Sequence, residues 1–321
     1  MTKTVFRFLA FAALGLAFAQ GALAYQFQRF NNPPRTVVNS DAGNWRATYT
    51  DGAITVRHWG PNRTFSEPIQ SGITGGTQTV THNSYIRVMA TPWPSGGIPT
   101  AAQVDALLAS TGPDVLAVAM EYIYGAPVVK VPDASAYTGQ RWVSGGTSYG
   151  PDVGGDFNDH LGISWNYGAS YGGSDNNEDD EYGRLDCSGF VRMVFGYRMG
   201  VPLAKGGYDR PGVAIPRLSA KQAGSEGMGV WIIPNTGVKP TNFGNLTYGD
   251  LVFFDSDDSD PGVIDHVGIY LGVDNQGNDR VINSRNSLQG PTFKDPASGS
   301  NPSILQGNGW MGGGFRAARR L

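Results

Sequence analysis

The chain has 321 residues, a formal net charge of −3 at pH 7, 46 glycines and one cysteine. An acidic balance without a basic patch argues against nucleic acid as a partner, because that binding rests on neutralising phosphates. The length allows two domains, the glycine content favours turns over long helices, and the lone cysteine excludes an internal disulfide.

Residues 1–24 read "MTKTVFRFLAFAALGLAFAQGALA". Lys3 and Arg7 make a basic start, Leu9 to Ala19 an apolar core, and Ala22-Leu23-Ala24 a small-x-small cleavage site, which together predict a secretory signal peptide. The apolar core is too short to span a bilayer, and no later run is long enough. The mature chain is therefore expected to be secreted, or periplasmic within the cell envelope.

Residues 25–100 read as a small β-rich module. "NWRATYT" and "AITVRHW" flank Asp51-Gly52, a strong hairpin signal, and "SYIRVMATPW" (84–93) predicts a further strand. Trp45, Trp59 and Trp93 are expected as core or hairpin-face aromatics rather than sugar-stacking platforms. "PWPSGGIP" reads as a linker, after which Thr100 caps a helix over Ala101–Ser110. Further on, "GTSYG" (146–150) matches the Gly-x-Ser-x-Gly pattern of serine hydrolases. Pro151-Asp152-Val153-Gly154-Gly155 cannot start the helix which that chemistry requires, so the serine reading is set aside. His58, His82 and His160 have no partner at ligand spacing, and a Cys/His zinc site is excluded by count.

In an oxidising compartment a lone cysteine is either a buried small hydrophobe or a reactive thiol. Cys187 lies in "EYGRLDCSGFVRMVFGYRMG". There Asp186 is positioned to cap a helix whose Phe190, Val191, Val194 and Phe195 fall on one face. The thiol then sits in the first helical turn, where free N–H groups and the helix dipole favour thiolate, and a depressed thiol pKa is expected. A nucleophile also needs a base. Downstream, a strand (Asp250–Asp255), an acidic loop, a strand opening at His266, a turn (Asn275–Asn278) and a strand through Asn283 are predicted. The last two pair as a hairpin with His266 and Asn283 near its open end, and Cys–His–Asn is a known thiol-hydrolase set.

"DCSGF" (186–190), "GDLVFF" (249–254), "HVGIYLG" (266–272) and the ending "GWMGGGFRAARRL" resemble the NlpC/P60 family of cell-wall cysteine peptidases. The resemblance runs in order from Tyr182 to Leu321 and includes "VPLAKGGYDRPGVAIPRLSAKQAG". It implies an α+β, papain-like fold in which the cysteine helix packs on an antiparallel sheet. The catalytic domain would then span 101–321, with "PDVLAVAMEYIYGAP" (113–127) as its leading helix and 128–160 as an insertion. It further implies Cys187 as nucleophile, His266 as base and Asn283 as the third polar residue. The oxyanion and substrate-binding positions are expected among Trp165, Tyr167, Tyr171 and Ser188. The implied substrate is peptidoglycan, at a bond between a D-isoglutamyl residue and a diamino acid. Competing readings are an inactive envelope-binding protein on the same fold, and an amidase or acyltransferase using the same three residues.

No cofactor is implied, apart from Ca²⁺ as one use of the acidic runs "SDNNEDDE" (174–181) and "DSDDSD" (255–260). By the alignment both runs flank the site. Solvated loops are their default reading, and selection of a cationic substrate group is the third.

Overall fold

The computed structural model describes residues 24–149, 155–169, 172–176, 181–206 and 210–321. The predicted signal peptide thus falls, except for Ala24, outside the described residues. The chain begins with β1 (Tyr25–Asn31), β2 (Pro34–Ser40), β3 (Trp45–Thr50), β4 (Thr55–Phe65), the two-residue β5 (Thr74–Gly75) and β6 (Val80–Val88). Five of these form an antiparallel sheet in the order β1-β2-β3-β4-β6. In β2, Thr36, Val38 and Ser40 are buried and their neighbours are not, the period of a half-buried strand. Val38, Ala47, Tyr49 and Val56 make a small core with Val104 of α1 (Ala101–Leu108). Thr100 starts that helix through a capping box: its Oγ1 accepts from the Gln103 N–H, and Gln103 Oε1 accepts from the Thr100 N–H. The Asp51-Gly52 hairpin joins β3 to β4 as expected, with Gly52 at φ +78°. The strand expected over 84–93 starts earlier and ends at Val88.

α2 (Val115–Met120) is capped by Asp114 and is shorter than the helix expected over 113–127. It gives way to turns that still send Tyr122 and Ile123 into the core. β7 (Val129–Pro132) and β8 (Gln140–Ser144) form a ribbon, and α3 (Phe157–Leu161) follows. β9 (Trp165–Gly168) and β10 (Gly173–Asp175) form a second ribbon.

Next come α4 (Cys187–Val191), which runs into a π-helical stretch over Arg192–Arg198, then α5 (Ser219–Gln222), β11 (Val230–Ile233), β12 (Leu251–Phe254), β13 (His266–Val273) and β14 (Asp279–Arg285). The chain closes with β15 (Gly290–Thr292), β16 (Asp295–Pro296), α6 (Trp310–Gly314) and β17 (Phe315–Arg320). The main sheet has the order β11-β17-β12-β13-β14-β15, and its neighbouring strands run antiparallel. Alternation divides its side chains between two cores. Leu251, Phe253, Val267, Ile269 and Ile282 join Phe190, Val191, Val194 and Phe195 of the cysteine helix. Val252, Phe254, Tyr270 and Val281 pack on the opposite side with Met311 and Phe315. Helices and sheets together make this an α+β protein, in which α4 lies against β13 and β14.

The N-terminal sheet is bonded to this core. The Thr55 N–H donates to Leu321 O, β5 pairs with β16, and Glu67 accepts from Thr292 of β15.

Candidate active site

Asp186 ends the extended approach to α4, and its Oδ1 accepts from the Gly189 N–H at 2.7 Å. Its carboxylate is held from below by Arg217, whose Nη2 donates at 2.7 Å while Nη1 donates to Ser188 Oγ, also at 2.7 Å. A second buried ion pair, Arg192 with Asp156 at 3.0 Å, sits alongside. Two cations face two carboxylates, so the charges balance where solvent does not reach. Gly189 allows the close approach: a Cβ there would lie 2.1 Å from Gly155 O. The helix start is therefore fixed from three sides, and Cys187 with it.

The thiol is 7 % exposed and lines a cleft of about 830 Å³ together with His266 and Tyr149. His266 opens β13, and its Nε2 lies 3.0 Å from Asn283 Oδ1. Asn283 Oδ1 can only accept, so Nε2 carries the proton and Nδ1 is left as the basic nitrogen. β13 and β14 pair as the expected hairpin, Ile269 opposite Ile282, and continuing that register sets Gly268 opposite Asn283. His266, Gly268 and Asn283 then share a face, and the missing side chain at Gly268 leaves Asn283 room to reach diagonally to the imidazole. His266 and Asn283 thus meet on one face of the sheet, and Cys187 borders the same cleft.

The electrostatics differ from expectation. Burial, with the Asp186 carboxylate next to it, pushes the Cys187 thiol up to about 12, against smaller downward pulls from the Val267 N–H, Arg217 and the Ser188 N–H. Burial pushes His266 down to about 3, Asn283 opposing this and Arg285 adding to it. Burial thus favours the neutral form of the thiol and of the imidazole alike. The expected depressed thiol pKa is corrected accordingly.

The expected oxyanion residues are mostly placed elsewhere. Trp165 packs edge-on against Phe157 and donates its indole N–H to Lys205 O at 3.3 Å. The Tyr167 hydroxyl donates into the buried network, 2.9 Å from Asn158 Oδ1 and 3.0 Å from Asp156 Oδ2. Ser188 Oγ is engaged by Arg217 and Asp186. None of the three lines the cleft, and Tyr171 lies outside the described residues. The aromatic hydroxyl that does line it belongs to Tyr149, from the "GTSYG" segment. Ser148 bridges Arg184 in parallel, its carbonyl accepting from the Leu185 N–H, so this segment runs beside the approach to the cysteine. Burial raises the Tyr149 hydroxyl pKa, with Cys187 and Asp186 adding to the effect, and it remains a protonated donor. The signal in the sequence was an aromatic within a glycine-rich stretch upstream of "DCSGF"; the serine pattern drew attention to its neighbour instead.

The acidic runs separate. Asp257 and Asp258 line the cleft with Asp265, whose Oδ2 accepts from the Ser256 and Asp257 N–H groups, both at 2.7 Å. Of the other run, 174–176 and 181 do not line it, and 177–180 lie outside the described residues. There Asp175 and Glu181 approach Asp159, with carboxylate oxygens within 4.8 Å of one another, a donor set of the oxygen type that suits Ca²⁺. Burial, and then the neighbouring carboxylates, push Asp159 up to about 9. His58, His82 and His160 are buried and pack against Tyr85, Tyr248 and Tyr122 respectively.

Comparison with known proteins bears on residues 166–299, which match the NlpC/P60 family and include Cys187, His266 and Asn283. No curated protein matches the chain. A solved structure of an NlpC/P60 family protein from Bacillus cereus ATCC 10987 is 24 % identical, with a TM-score of 0.27, over 44 % of this chain and 32 % of that one. This chain thus covers about a third of that protein's length. On the family match, residues 166–299 of the chain carry an NlpC/P60 domain.

Proposed function

We propose that the protein is an exported cysteine peptidase that cleaves peptidoglycan stem peptides through a thioester. Its bond would join a D-isoglutamyl residue to a diamino acid. The observation that carries this is the His266–Asn283 hydrogen bond of 3.0 Å at a cleft also bordered by Cys187. The family supplies the class of reaction, cell-wall hydrolysis.

In the proposed reaction, Cys187 Sγ attacks the scissile carbonyl carbon as its proton passes to His266 Nδ1. Asn283 holds the ring by accepting from Nε2 throughout. The Cys187 N–H and the Tyr149 hydroxyl, which line the same cleft, would meet the developing oxyanion. The imidazolium gives its proton to the departing amine, leaving a thioester. Water, deprotonated by Nδ1, then attacks the thioester and releases the acid and the free thiol. The step uses no cofactor. Asp257, Asp258 and Asp265 on one wall suit the ammonium group of a diamino acid, which supports that substrate class.

The test is mass spectrometry of purified peptidoglycan after incubation with the mature protein and with Cys187→Ala. Cleaved stem peptides are expected only from the former. Binding without cleavage would replace this reading by the inactive envelope protein, and release of a different acyl product by the amidase or acyltransferase.

A further inference from the structure

Arg285 ends β14, two residues beyond Asn283, and lines the same cleft while only 4 % exposed. Its guanidinium donates to two neutral oxygens, Asn301 O at 3.1 Å and Ser303 Oγ at 3.5 Å, and its buried Nε has no hydrogen-bond partner. Its Cζ lies 5.5 Å from the ring centroid of Trp310, whose ring is 4.8 Å from that of His266. Arg192, Arg217, Arg280 and Arg320 are comparably buried, and each faces a carboxylate. Arg319 has no carboxylate but is surrounded by three backbone carbonyls. Arg285 has neither. The acid that it senses, Asp295, is committed to Arg280.

A buried cation without a counter-ion is costly, and the cost is recovered when a ligand brings the opposite charge. A planar guanidinium at the lining of a cleft suits a carboxylate. We propose that Arg285 is a specificity subsite that binds a carboxylate of the substrate beside the scissile bond. This rests on the peptidase reading. A glutamyl residue linked through its γ-carbon keeps its α-carboxylate free next to the bond, and that is the group assigned to Arg285. Asp257 and Asp258, which line the same cleft, repel it, so the cleft suits a substrate carrying both charges.

The arrangement also links binding to chemistry. Arg285 is one of the groups that hold His266 low. A carboxylate that neutralises Arg285 removes part of that effect, so the base gains proton affinity when substrate is in place.

The test compares L-alanyl-γ-D-glutamyl-L-lysine with its glutamyl α-carboxamide, by calorimetry on Cys187→Ala protein so that no turnover intervenes. The carboxamide should bind about 10–100-fold more weakly, the range for losing one charged hydrogen bond. In Cys187→Ala/Arg285→Gln the two peptides should bind alike. Arg285→Lys, which keeps the charge and loses the fork, should retain part of the difference and serves should the glutamine variant not fold. Equal binding of both peptides to the Arg285 protein overturns the proposal, as does no binding of either, or a difference that persists without Arg285. Hydrolysis of peptidoglycan by the parent protein is read separately and decides the peptidase reading alone.

Discussion

Replacing Glu67 by glutamine should alter how stability depends on pH. Glu67 is 5 % exposed, and its Oε2 accepts from Thr292 Oγ1 at 2.9 Å and from the Phe293 N–H at 3.1 Å. Its Oε1 is buried without a partner. Burial raises its pKa from 4.5 to about 7, against smaller pulls from those donors and from Lys294. The unfolded carboxyl ionises near its ordinary value, so between the two pKa values the folded protein holds the extra proton. Stability is then full below about pH 4.5 and falls as pH rises to about 7. At about 1.4 kcal/mol per unit, ionisation costs the fold about 3 kcal/mol over that window, about 2 of it between pH 5.5 and 8. Glutamine mimics the protonated acid and has nothing to lose. The melting temperature of Glu67→Gln, measured relative to the parent, should therefore climb by about 3 °C from pH 5.5 to pH 8. Subtracting the parent curve cancels every other titrating group. A constant gap across that range would show that Glu67 is already ionised in the fold. Thr292 pairs with Asn283 across β14 and β15, so the same contact joins the N-terminal sheet to the strand that orients His266.

Iodoacetamide should modify Cys187 slowly near neutrality, the rate rising with pH through about 8 and above as the buried thiol begins to ionise; a fast plateau between about pH 5 and 7 would show a thiolate–imidazolium pair. Asn283→Ala should lower turnover about 10–100-fold and Asn283→His should restore part of it, whereas Asn286→Ala, which removes no contact to His266, should stay near the parent in a peptidoglycan digestion assay. Gly268→Ala would place a Cβ 2.4 Å from Val281 Cγ1 and 3.1 Å from Asn283 Cβ. It should cost about 1–3 kcal/mol in denaturant unfolding and lower turnover as far as Asn283→Ala does, and unchanged turnover would separate Asn283 from the reaction.

What the sequence revealed was local. Asp186 before a helical apolar stripe marked the start of α4, and the turn at Asn275–Asn278 marked the β13–β14 hairpin, because cap and turn chemistry act over a few residues. Whether His266 and Asn283 shared a face was not legible, since it depends on the pairing of Ile269 with Ile282 and on Gly268 being bare. Tyr149 was missed because its place beside Cys187 comes from a bridge between Ser148 and Arg184, set by tertiary packing. Trp165 and Tyr167 misled because Phe157 and the Asp156 network engage them, contacts set by tertiary packing rather than by a local pattern. β1 has no buried residue, so its pairing with β2 at the sheet edge rather than burial of one face holds it in place.

The thiol shows how a sound local rule yields to a larger effect. A helix N-terminus contributes about 0.3–1 kcal/mol towards thiolate. The rise of the thiol from 9 to about 12 corresponds to about 4 kcal/mol the other way, from burial and from the carboxylate that caps the same helix. The cap that places Cys187 therefore also opposes its ionisation, and Arg217, shared between Asp186 and Ser188, offsets this only in part. A neutral pair then has to move its proton during attack rather than before it. That makes the orientation of His266 matter more, because Nδ1 must face the thiol at the moment of bond formation. Asn283 meets this need without adding charge: its carbonyl oxygen fixes the ring and accepts from Nε2 in both protonation states. An aspartate there would sit buried, 0 % exposed like Asn283, and would favour a standing imidazolium. On the proposed mechanism, asparagine lets the charge separate only while the substrate's developing oxyanion is present to receive the Cys187 N–H and the Tyr149 hydroxyl.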